Sequence, residues 1–81
     1  MPSTPYMVVI ERTATGYSAY APDLPGCVAA GRTRAATLKL MKSAIEMHVA
    51  GMREDGVRPP RPSAQAAYVP AAAGKRLRRS A

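Results

Sequence analysis

Phenylalanine and tryptophan are absent from this 81-residue chain, and cysteine and histidine occur once each. Without the two largest aromatics, a core must be assembled from small and medium side chains. Sixteen residues are alanine, against twelve leucines, isoleucines and valines together. Alanine contributes little apolar area, and one domain of this size is marginally stable alone. Oligomerisation or a partner is therefore expected to supply part of the burial. The lone Cys27 excludes an internal disulfide, so a reducing, cytoplasmic setting is the simplest reading. With one histidine and one cysteine, a typical zinc site is not expected, nor is any other cofactor. The apolar run Tyr6–Ile10 is too short to cross a bilayer, and no other run is longer. The start Met1-Pro2-Ser3-Thr4-Pro5 does not read as a secretory leader.

Acidic residues are few: Glu11, Asp23, Glu46, Glu54 and Asp55, with none beyond residue 55. Residues 1–56 carry a net charge of +1, and residues 57–81 carry +6. The basicity is thus a property of the C-terminal segment rather than of the whole chain. Residues 1–70 are expected to form one domain and residues 71–81 a flexible basic tail.

The stretch Tyr17–Thr33 specifies the most structure. Tyr6–Glu11 reads as a strand apolar on both faces. Thr13–Gly16 is a short connection, with Gly16 available for a positive φ. Tyr17–Ala21 is a second strand completing a hairpin. Pro22 ends it, and Pro25-Gly26 fits the central pair of a type II turn. Cys27–Ala30 is a short third strand, and Thr33 a suitable helix N-cap. A helix is expected from Arg34 to Asp55, stopped by Gly56. On it, Leu38, Met41, Ile45, His48, Val49 and Met52 share one arc, the core stripe. Leu40 and Met47 fall nearly opposite. Arg58–Pro62 must be extended, and Gln65–Val69 is expected to add a fourth strand before Pro70.

Few of these residues suggest chemistry. His48 lies in the core arc and reads as structural. Cys27 reads as a small buried apolar residue rather than a nucleophile. Asp23 is the sharpest candidate for a catalytic acid, but its place between Pro22 and Leu24 favours capping of backbone N–H groups of the turn. Glu11 is the only other carboxylate on the expected sheet, and a metal-dependent nuclease needs several that converge. Thr15–Tyr20 is a weak match to an RNA-stacking strand, because Tyr17 and Tyr20 point to opposite faces. One should pack against the helix and the other should lie outside. Lys75, Arg76, Arg78 and Arg79 could neutralise phosphates or could simply solubilise the tail.

The motif Pro22-Asp23-Leu24-Pro25-Gly26-Cys27, followed by Gly31-Arg32-Thr33 and a helix, resembles the HicB family of antitoxins. So do the strand Tyr6–Glu11, the segment Ala44–His48 and Glu54-Asp55-Gly56. The resemblance covers about Tyr6–Pro62. It implies an α+β fold, β-β-β-α-β, an antiparallel sheet with one long helix packed on one face, described as partial RNase H-like without that activity. It also implies a HicA-type toxin as partner, a small RNA-cleaving protein that the antitoxin occludes. Many members carry a C-terminal DNA-binding domain, for which residues 70–81 leave no room. Ala35, Ala36 and Thr37 stand where the family's helix usually continues Glu-Glu-Ala. Within this reading, Tyr20, Leu40 and Met47 are candidate contacts to a toxin or to another copy. Lys75, Arg76, Arg78 and Arg79 are candidate nucleic-acid contacts of an alternative, orphan nucleic-acid-binding role. Pro22, Asp23, Pro25 and Gly26 are structural.

Overall fold

The computed structural model describes residues 5–72. Its elements run β1 (Val9–Arg12), β2 (Tyr17–Tyr20), β3 (Val28–Gly31) and α1 (Arg34–Glu54). The strands form one antiparallel sheet in the order β1-β2-β3. The helix packs against β2 and β3 on one face. This is the expected α+β arrangement.

Two tight turns join β2 to β3. The Leu24 N–H donates to the Ala21 carbonyl at 3.0 Å, and the Cys27 N–H to the Leu24 carbonyl at 3.0 Å. In the second turn Pro25 and Gly26 are the central residues, and Gly26 has φ 85°. That is the type II geometry the Pro-Gly pair predicts, since proline presets φ and glycine tolerates the positive value. Gly16 differs from expectation. Among the described residues the glycines at positive φ are Gly26 and Gly56, and Gly16 is not one of them. A side chain there would run into the Gly31 carbonyl oxygen and come within 2.9 Å of Arg32 Cα. Close backbone approach, not turn conformation, explains the residue. The Thr13–Gly16 connection is instead held by Thr13, whose N–H donates to the Gly16 carbonyl at 2.8 Å and whose Oγ1 accepts from the Gly16 N–H at 3.0 Å.

The helix is capped at both ends as the sequence suggests. Thr33 lies in extended backbone, and its Oγ1 accepts from the Ala36 N–H at 3.0 Å. At the far end the Gly56 N–H donates to the Arg53 carbonyl and the Val57 N–H to the Met52 carbonyl, with Gly56 at φ 74°. This pair of bonds is a Schellman motif.

Ala19, Ala21, Leu24, Cys27 and Met41 form the buried core, with Ile10, Ala29, Ala44, Ile45, Val49 and Met52 half-buried around it. Leu38 and His48 are half-buried as well. Thr37, unremarked in the helical pattern, is fully buried. Its Oγ1 donates to the Thr33 carbonyl at 2.8 Å, so the hydroxyl is satisfied inside the helix. A side chain at Gly31 would stand 2.8 Å from that Oγ1, so these two positions are matched in size.

The fourth strand is a correction. Gln65–Val69 forms no strand, and the described sheet has three. The sheet order leaves β1 and β3 as its edges, and Gln65–Val69 pairs with neither. Pro59, Pro60 and Pro62 stiffen the approach, and the chain is fastened just before residue 65.

Candidate protein-binding surfaces

Strand alternation divides the sheet into two faces. Ile10, Ala19 and Ala29 are in register across the three strands and face the helix. Val9, Tyr20 and Val28 form the next row and point the other way. No described element covers that outer face: Tyr20 is 43% and Val28 64% exposed. Glu11, Ser18 and Ala30 form the adjacent outer row. Tyr17, by contrast, is half-buried on the helix-facing side, with the Arg12 guanidinium 6.0 Å from its ring centre. The two tyrosines therefore divide between the faces, as the alternation predicts.

Leu40 and Met47 give the helix a second apolar surface. They are seven residues apart, hence on one side of the helix and about 10 Å apart along its axis. Leu40 is 49% and Met47 75% exposed.

Asp23 has a different job from either one considered for it. Its carboxylate accepts from the Ser63 N–H at 3.0 Å, the Ser63 hydroxyl at 2.9 Å and the Ala64 N–H at 3.1 Å. It does cap backbone N–H groups, but those of a segment forty residues away rather than of its own turn. The donors from Ala64 and Ser63 hold its carboxyl below the usual carboxylate range. Its oxygens are occupied and it stays ionised, which unsuits it as a catalytic acid. Nearby, the Tyr6 hydroxyl donates to the Pro60 carbonyl at 2.6 Å. These bonds fasten the post-helix segment to the end of the sheet where β2 and β3 meet the turn. Beyond them Gln65–Ala72 is exposed throughout. Nothing in the sequence pairs Asp23 with Ser63, whereas the Tyr20–Val28 pairing follows from counting back from the turn.

The remaining candidates separate cleanly. Cys27 is buried, and burial pushes its thiol up. Glu11 lies exposed on β1. Among the described residues no three His, Cys, Asp or Glu side chains are grouped to hold a metal ion. None of their helices is long and apolar enough to cross a membrane. Lys75, Arg76, Arg78 and Arg79 lie outside the described residues.

Comparison with known proteins gives consistent matches. Residues 6–74 match the family described as HicB-like antitoxin of bacterial toxin-antitoxin system. An uncharacterised 14.9 kDa protein from Haemophilus phage HP1 is 42% identical over 50 residues, which are 62% of this chain and 38% of that protein. A UPF0150 protein of Helicobacter pylori is 38% identical over 47 residues, 58% of this chain and 65% of that one. The chain thus spans less than two thirds of the length of either relative. Among solved structures, a chain of the HicA3 and HicB3 toxin-antitoxin complex superimposes with a TM-score of 0.58 at 31% identity, covering 72% of both chains.

Proposed function

This chain belongs to the HicB-like antitoxins of bacterial toxin-antitoxin systems, and we propose that it is a non-enzymatic antitoxin acting in the cytoplasm. It binds a HicA-type toxin and covers the surface with which that toxin cleaves RNA. The likeness to a chain of a toxin-antitoxin complex, at 31% identity over 72% of each chain, carries this reading. The chemistry of the chain agrees with it. The best-placed carboxylate, Asp23, is committed to three donors, and what the described surface offers is apolar area for contact.

Leu40 and Met47 are assigned to the toxin contact. They lie on the exposed side of a helix whose other side is held by the core, so a partner can dock there without disturbing the fold. Apolar side chains that become fully desolvated at the centre of an interface carry a disproportionate share of its affinity.

The test is co-expression with a HicA-type toxin. The chain should restore growth and copurify with the toxin. Replacing both residues by glutamate should weaken binding at least tenfold by calorimetry while the circular dichroism spectrum stays unchanged. Equal affinity in the double variant would place the toxin contact elsewhere on the molecule.

A further inference from the structure

We propose that residues 65–72 are an arm that docks on the outer sheet face of a second copy of this chain, with the exchange made reciprocally about a twofold axis. The arm supplies Tyr68 and Val69, and the receiving face supplies Val9, Tyr20 and Val28.

Four observations carry this. The first is exposure. Tyr68 is 95% and Val69 87% exposed, which leaves a large amphipathic aromatic and a β-branched residue side by side in water. The arm does not cover the outer face of its own chain, where Tyr20 and Val28 stay open. The second is fastening. Asp23 and Tyr6 grip Ser63, Ala64 and Pro60, so the arm leaves the body at a fixed place, beside the turn that closes the Tyr20–Val28 pair. A fixed departure point lowers the entropy lost when the arm is captured.

The third is charge. Residues 62–74 contain no charged side chain, in a chain that is 21% charged. The row Val9–Tyr20–Val28 is equally uncharged. A partner with a basic RNA-binding surface would be met by acids, and the arm has none. A neutral apolar arm suits this neutral apolar row, with the exposed Glu11 one row away on the same face, and the chain carries both. The fourth is the small core, five buried apolar residues among the described ones, two of them alanine. Covering the outer face would add the burial that the fold lacks.

Twofold closure follows from the size of the contact. Eight extended residues reach at most about 29 Å, and a single arm on a three-stranded sheet covers too little to hold two proteins together. Two reciprocal contacts double the area towards the roughly 1,000 Å² that a specific interface needs. An isologous pair is also the ordinary way for one chain bearing complementary patches to close.

The experiment measures mass by light scattering on the full chain and on two variants. One carries Tyr68→Glu and Val69→Glu, the other Tyr20→Glu and Val28→Glu. The wild type should be a dimer, and each variant alone a folded monomer with an unchanged helical circular dichroism spectrum. Mixing the two variants should leave monomers, because only one of the two reciprocal contacts, one intact arm on one intact face, is then available. A monomeric wild type overturns the proposal. So does either variant that remains dimeric, which would mean that the disabled surface does not join the copies, and so does a mixture that forms a stable heterodimer, which would mean that a single contact suffices without twofold exchange. If the face variant does not fold, Tyr20→Ser with Val28→Thr replaces it, and the same three outcomes decide.

Discussion

Asp23 shows how one side chain ties distant parts of a small chain together. Three donors converge on it, and their effect is to lower its affinity for protons. The linkage has a definite sign. A carboxyl whose pKa is lower folded than unfolded contributes stability at pH values above the unfolded value, about 3.9. That contribution is lost as pH falls through the lower folded value. Neutral pH should therefore leave the segment fastened, and acid should release it. In an NMR titration the Ser63 and Ala64 amide resonances should move together, with a midpoint below that of an exposed aspartate, and Asp23→Ala should place both at their released positions at every pH. A midpoint at or above the ordinary value would show that the carboxylate does not hold them. Cys27 makes the opposite point, since it is shielded rather than engaged. Buried, with its thiol pushed up, it should react with an alkylating reagent only through unfolding. Its rate of modification should rise steeply with denaturant; rapid labelling in buffer alone would contradict the packing described here. Cys27→Ser would bury an unpaired hydroxyl and should cost about 1–3 kcal/mol by chemical denaturation.

The elements were legible in the sequence wherever a local rule decides them. Pro25-Gly26 names a turn type, Thr33 names a helix start and Gly56 names a stop, and each does what its chemistry requires. Thr33→Ala should remove the bond to the Ala36 N–H and destabilise the domain by about 1 kcal/mol in thermal or urea unfolding. The Oγ1 of Thr37 would still find the residue 33 carbonyl, so the loss should stay confined to the first turn. Legibility ends where the reason is a neighbour far away in the chain. Gly16 reads as a turn glycine, yet it is small because the Gly31 carbonyl passes beside it. Thr37 reads as an ordinary helix residue, yet it is fully buried against Gly31. The short run Gln65–Val69 before Pro70 reads as a segment that could be a strand and says nothing of what it pairs with. A strand signal is a statement about two faces, and in this chain the segment finds no sheet of its own. The candidate contacts followed the same division. Tyr20, Leu40 and Met47 were placed on exposed faces by periodicity alone, while Ser63 and Ala64 could be found only through the fold.

At the scale of the whole molecule, the chain separates its charge from its apolar surfaces. Residues 1–56 carry +1 and residues 57–81 carry +6, while the arm between Pro62 and Gly74 carries none. The two proposed partners therefore fall on different parts, a toxin on the helix at Leu40 and Met47 and a second copy on the outer sheet face, and the alternative nucleic-acid role would fall on a third, Lys75, Arg76, Arg78 and Arg79. Because the sheet and helix are nearly neutral, any affinity for nucleic acid should reside in the tail. Four phosphate contacts would make the logarithm of that affinity fall with the logarithm of salt with a slope of about −3 to −4. Removing residues 74–81 leaves the fastened arm and the helix patch intact. The truncated chain should keep its dimer mass and its toxin affinity, and should lose the salt-dependent retention of a labelled RNA or DNA in a filter-binding assay. Retention that survives truncation would place a phosphate-binding surface on the folded domain. Loss of the dimer on truncation would show that the tail, and not the arm, joins the two copies.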